Sequence, residues 1–198
     1  MVENLATSGK SQLVLPSHVK HLKRPNSGMN LGAWKEGMRQ VNASHYLLLQ
    51  DECYLKNIKD GEELHHKLTN EIQQNPVCEL FGVSWNERWD KEVDVLRNFF
   101  QTQETLLGQL DDALRLCCDL GIPILKTLGH YRTLAILMKK EAAEILNTLV
   151  DGHSRQRCIS EEIMWTKLVE ARQKETCMLF EYPFKHICHP EWDVKGRR

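Results

Sequence analysis

No stretch of this chain approaches the 18 or so consecutive apolar residues of a membrane-crossing helix. Proline and glycine are scarce, six and eleven among 198 residues. They gather at a few places, which leaves long uninterrupted stretches and favours helices over many short strands. The first ten residues, Met1 to Lys10, contain no apolar core of a secretory signal. The seven cysteines are odd in number and include no Cys-x-x-Cys pair. Together these absences predict reduced thiols in a cytosolic or nuclear setting and leave the sequon Asn42-Ala43-Ser44 idle. There is no phosphate-binding Walker loop, dinucleotide fingerprint, nucleophile elbow or His-Glu-x-x-His helix.

What is present is an ordinary globular composition, 41% hydrophobic and 27% charged, which is too apolar for wholesale disorder. The net charge of −1 is unevenly spread. Residues 1–30 carry four Lys/Arg against one Glu, and residues 183–198 four against two acids, so basic ends flank an acidic body. Pro16, Pro25 and Gly28 break the first thirty residues, which read as an extended or disordered leader bearing Lys20, Lys23 and Arg24.

Helical spacing dominates the middle. After Asn30, a good N-cap, apolar positions from Trp34 through Ile72 suggest a helix over about 31–74, with a kink or break at Gly61. Ser84-Trp85-Asn86-Glu87 has the form of a capping box. Behind it Trp89, Val93, Leu96, Phe100, Gln103, Leu107, Leu110, Leu114 and Cys117 repeat at 4-3 spacing, predicting a helix over 84–120. Gly121 should end it, and Pro123 should open the next, 123–150, along Tyr131, Ala135, Met138, Ala142, Ile145 and Leu149. A last helix over about 156–181, starting near Ser154 or Ser160, has the least regular pattern. The expected fold is therefore all-α: an up-down antiparallel helical bundle or coiled-coil hairpin over 31–182, behind the extended leader and ahead of a basic tail at 183–198.

Chemistry-bearing clusters are thin. Glu62 with His65 and Glu63 with His66 have the Glu-x-x-His spacing of half a di-iron bundle site, but no other histidine supplies the second half. His186, Cys188 and His189, with Cys177 upstream, lack the second ligand pair of a zinc site. Cys117 falls on the apolar seam and reads as core. These observations predict no metal, no cofactor and no catalytic residues. They predict a non-catalytic structural or adaptor protein that binds other proteins, a cytoskeletal (microtubule or ciliary) component by preference, with an acidic filament surface as its partner. Candidate binding residues are Lys20, Lys23 and Arg24 with the aromatic anchors Trp34 and Trp192. The alternatives are a nucleic-acid-associated helical protein, disfavoured by the acidic body, and a metal-dependent helical-bundle enzyme.

Overall fold

The computed structural model describes residues 4–8, 19–23, 29–50, 53–55, 61–123, 127–147, 149, 154–179 and 187–188. Eight strands and six α-helices occur among them. They are β1 (Asn4–Ser8), β2 (Val19–Lys23), α1 (Met29–Gln40), β3 (His45–Leu49), β4 (Tyr54–Leu55), α2 (Gly61–Gln74), β5 (Cys78–Gly82), α3 (Val93–Phe100), α4 (Glu104–Asp119), β6 (Ala135–Lys139), α5 (Lys140–Leu146), α6 (Arg155–Ala171), β7 (Glu175–Met178) and β8 (Ile187–Cys188).

The organising element is a four-stranded mixed sheet in the order β3-β6-β5-β7. Strand β6 runs antiparallel to both β3 and β5, and β5 runs parallel to β7. The register sets Leu47 opposite Leu137, Leu80 opposite Met138 and Phe81 opposite Cys177. Alternation along β6 divides the interior in two. Ile136 and Met138 join Leu48 and Leu80 in the larger core beneath the helices, with Leu31 and Trp34 of α1, Leu110 and Ala113 of α4, Ala142 and Leu146 of α5, and Trp165 and Leu168 of α6. Ala135 and Leu137 join Phe81, Cys78 and Val83 on the opposite face, where Leu68 and Ile72 of α2 and Ile187 of β8 cover them. Two small sheets lie outside this frame: β1 and β2 pair in parallel, and β4 pairs antiparallel with β8.

Helix α6 passes through the middle of the larger core. Ile163, Met164, Trp165, Leu168 and Val169 are buried on it, but so are Ser160, Glu161, Thr166 and Lys167. Every residue from Ile163 to Val169 is buried, so this stretch has no solvent face to impose a polar stripe, which is why its sequence shows no clean period.

The fold is thus mixed α and β, and the expectation of an all-α bundle is overturned. Within 123–150 the residues at helical spacing include Tyr131, Ala135 and Met138, yet Leu134-Ala135-Ile136-Leu137-Met138 is apolar at every position. Such a run satisfies a helical period and a strand buried on both faces equally well, and burial between β3 and β5 decides for the strand. Within 31–74 the helix stops at Gln40 and β3 follows; the break expected at Gly61 is the start of α2. Within 84–120 a turn at residues 101–103, held by Gln103 N donating to Phe100 O at 2.7 Å, separates α3 from α4. Within 156–181 the helix ends at Ala171 and β7 follows.

Ser84 caps no helix. Its carbonyl accepts Arg132 N, Trp85 bridges to Tyr131, and only a single 3-10 turn, Glu87–Trp89, intervenes before α3. Asn30, expected as an N-cap, lies inside α1, one residue after its start. Two other local signals hold. Gly121, at φ 65°, ends α4 with its own N–H on Cys118 O at 3.1 Å and Ile122 N on Cys117 O at 2.8 Å, the paired bonds of a Schellman cap. Ser154 caps α6 by accepting Arg157 N at 3.1 Å. Cys117 is buried, its thiol 3.7 Å from Met164 Sδ. No helix among the described residues is long and apolar enough to cross a membrane.

Candidate functional site

The densest group of polar side chains lies where the connection into β6 crosses α6. Leu128, Gly129, His130, Tyr131, Thr133 and Leu134 are buried although they belong to no helix or strand. Buried irregular backbone must find a hydrogen-bond partner for every amide. Tyr131 N donates to Thr166 Oγ1 at 2.9 Å and Thr133 N to Glu162 Oε1 at 2.8 Å. Thr166 and Glu162 are one turn apart on α6, so they present two acceptors to two alternate residues of the connection. On the other side, Arg132 N donates to Ser84 O at 2.9 Å, and His130 O accepts Asn86 N at 2.8 Å.

His130 is 2% exposed. Its Nδ1 lies 2.9 Å from Leu128 O, and a carbonyl only accepts, so Nδ1 carries the proton. Nε2 is then the acceptor, for Asn86 Nδ2 at 3.2 Å. Asn86 Oδ1 in turn accepts from Arg132 Nη2 at 3.3 Å. Burial lowers the imidazole pKa to about 4, with Lys167 and Arg132 pushing the same way and the Leu128 carbonyl opposing. The ring is therefore neutral near pH 7. Glu162 keeps some exposed surface, but its carboxyl group is desolvated, which raises its pKa, and the Thr133 and Arg132 contacts oppose that rise.

The cluster continues around Trp85. Its Nε1 donates to Asp90 Oδ2 at 3.2 Å, and its ring meets Tyr131 edge-on at 4.9 Å. Lys167 Nζ sits 5.5 Å from the same ring and bonds Glu170 Oε2 at 2.8 Å, while Thr176 donates to Glu170 Oε1 at 3.3 Å. Close approach here requires glycine. A Cβ on Gly129 would stand 2.6 Å from Trp85 Cζ2, and one on Gly82 would fall inside the Tyr131 ring contact.

Chemically, this arrangement immobilises backbone. Both nitrogens of His130 are engaged within the chain, Asn86 bridges two partners, and Lys167 is paired. A general base needs a free acceptor within reach of a substrate proton, and Nε2 already holds Asn86.

The surface offers a different feature. On α3, Leu96 and Phe100 are fully buried, whereas Val95 and Phe99, one turn apart, are 48% and 52% exposed. The Arg88 guanidinium lies 5.9 Å from the Phe99 ring centre and 5.3 Å from that of Phe100, and its Nη2 donates to Gln103 Oε1 at 2.8 Å. The exposed Phe99 ring thereby stands beside a cation that is itself bonded to Gln103.

Of the residues singled out in the sequence, Trp34 is 8% exposed, tilted against Trp165 at 5.8 Å, with Nε1 donating to Leu49 O at 3.2 Å. It is a core residue, and its expected role as an exposed anchor is corrected. Lys20 and Lys23 lie on β2, with side chains outside the description; Arg24 and Trp192 fall outside the described residues. His65 and His66 are exposed on α2, His186 and His189 are outside the described residues, and among the described residues no three His, Cys, Asp or Glu side chains are placed to hold a metal. The sequence signalled none of His130, Asn86, Glu162, Thr166 or the Val95–Phe99 pair. The first four come from three separated segments with no common spacing. Val95 and Phe99 do stand at i, i+4, but off the 4-3 seam. No family model, no curated protein and no solved structure matches the chain.

Proposed function

We propose that this protein acts by binding another protein and not by turnover, and that the Val95–Phe99 face of α3 is the contact. The exposure of this pair carries the reading. Large apolar side chains left in water on a helix anchored by Leu96 and Phe100 cost little ordering entropy on binding, and an aromatic ring beside an arginine is the composition of interface hot spots. The internal engagement of the His130 cluster supports it further, because both ring nitrogens and the Asn86 amide are already bonded within the chain. The basic leader fits an acidic partner surface, such as that of a cytoskeletal filament, whose attraction to Lys20 and Lys23 would weaken as salt screens it.

The test compares partner recovery by the full chain, by Phe99→Asp with Val95→Asp, and by a Lys20→Glu, Lys23→Glu form, with circular dichroism confirming the fold of each. Loss of recovered partners in the α3 form supports the reading. Equal recovery by all three forms places the contact elsewhere and removes it.

A further inference from the structure

The charge around α3 narrows what can cover the Val95–Phe99 pair, a step that rests on the reading of this face as the contact. The chain's net −1, less the +3 of residues 1–30 and the +2 of 183–198, leaves −6 on residues 31–182. Residues 87–119 hold eight Asp and Glu against four Lys and Arg, so −4 of that excess lies on the 3-10 turn, α3, α4 and their short connections.

Two of the four cations are cancelled in place. Arg97 pairs with Asp111 at 3.0 Å, joining α3 to α4, and Arg115 pairs with Asp112 at 3.7 Å along α4. Between the 3-10 turn and the first residue of α4 there remain Glu87, Asp90, Glu92, Asp94 and Glu104, all exposed, against Arg88 and Lys91. Arg88 lies over the Phe99 and Phe100 rings and donates to Gln103. Asp94 is the neighbour of Val95 in α3, and Glu104 opens α4.

We infer that the segment covering Val95 and Phe99 is basic: a stretch of a partner protein whose apolar side chains seat on the pair and whose Lys or Arg side chains meet the carboxylates of Glu87, Asp94 and Glu104. Apolar contact supplies affinity, and opposite charge supplies orientation and a faster encounter. An acidic segment, a nucleic-acid backbone or an anionic lipid surface would set like charge against five exposed carboxylates. The segment that covers α3 is thus opposite in sign to the surface that suits Lys20 and Lys23, and the two contacts are separate.

Fluorescence anisotropy with the full chain and two labelled peptides tests this, one peptide built of Leu and Lys at helical spacing, the other of Leu and Glu at the same positions. The expected result is that the Leu–Lys peptide binds about tenfold or more tighter than the Leu–Glu peptide, and less tightly as salt rises from about 20 to about 150 mM. Asp94→Asn with Glu104→Gln, and separately Val95→Ser with Phe99→Ser, should each weaken the Leu–Lys peptide about fivefold or more. All four side chains are exposed, and circular dichroism checks each fold. Should the carboxylate variant unfold, Glu87→Gln, on the exposed 3-10 turn, takes its place. If the apolar variant weakens binding and the carboxylate variant does not, the face stands as a contact and its basic partner is overturned. No binding of the Leu–Lys peptide, equal binding of both peptides, or indifference to both variants also overturns the inference, and the partner-recovery comparison then decides by itself whether α3 is a contact.

Discussion

Glu162 Oε1 accepts the backbone N–H of Thr133 at 2.8 Å, tying a buried connection to the central helix. Glu162→Ala leaves that amide without its acceptor, and the expected loss is about 1–3 kcal/mol. Glu162→Gln keeps an oxygen in place and should recover most of it. Urea denaturation of the three forms checks this; equal midpoints for Ala and Gln would mean that the bond contributes nothing.

Gly82 faces the Tyr131 ring with no room for a methyl group. Gly82→Ala must displace either β5 or the ring, at a cost of about 1–3 kcal/mol. Gly121→Ala should also cost stability, through its positive φ alone, since nothing lies within 4 Å of a Cβ there. Separate mechanisms with no shared neighbour predict additive losses in the double variant.

His130 makes stability depend on pH. Its pKa falls from 6.5 in the unfolded chain to about 4 in the folded one, so the unfolded state binds more protons between those values. The stabilisation is fully present above 6.5 and is lost as pH falls through about 4, a change on the order of 3 kcal/mol. Glu162 acts in the opposite sense, because its raised pKa favours the fold at low pH and less so as pH climbs through the folded value. Comparison with His130→Asn isolates the histidine: the parent's slope between about pH 4 and 6.5 should flatten in that variant. Parallel slopes would show that His130 titrates alike in both states.

Gln173 occupies a left-handed position, φ 59°, after α6, with its N–H on Glu170 O at 2.9 Å and Lys174 N on Val169 O at 3.3 Å. This is the cap that Gly121 forms after α4, built without glycine. Gln173→Gly relieves the steric cost of that conformation and adds some unfolded-state entropy, for a net gain of roughly 0.5–1 kcal/mol. A rise in melting temperature is expected, and a fall would show that the Gln173 side chain holds a contact worth more than the strain.

Short-range physics was legible in the residues themselves. Gly121 ends α4 and Ser154 caps α6, because a cap involves only atoms within one turn. Cys117, Leu96, Phe100 and Leu110 are core as their spacing indicated, because α3 and α4 do keep one face in water. Spacing overstated Leu107 and Ile145, which are only partly buried. Tertiary structure decided the rest. Residues 134–138 are apolar at every position, so only the presence of β3 and β5 on either side makes them a strand. The pattern of α6 is unreadable because neighbours surround it, and polar Glu162 and Thr166 are there to serve backbone amides some thirty residues away. Periodicity records which side of an element meets water. Where an element meets none, the sequence is written by its neighbours, and they are known only once the chain is folded.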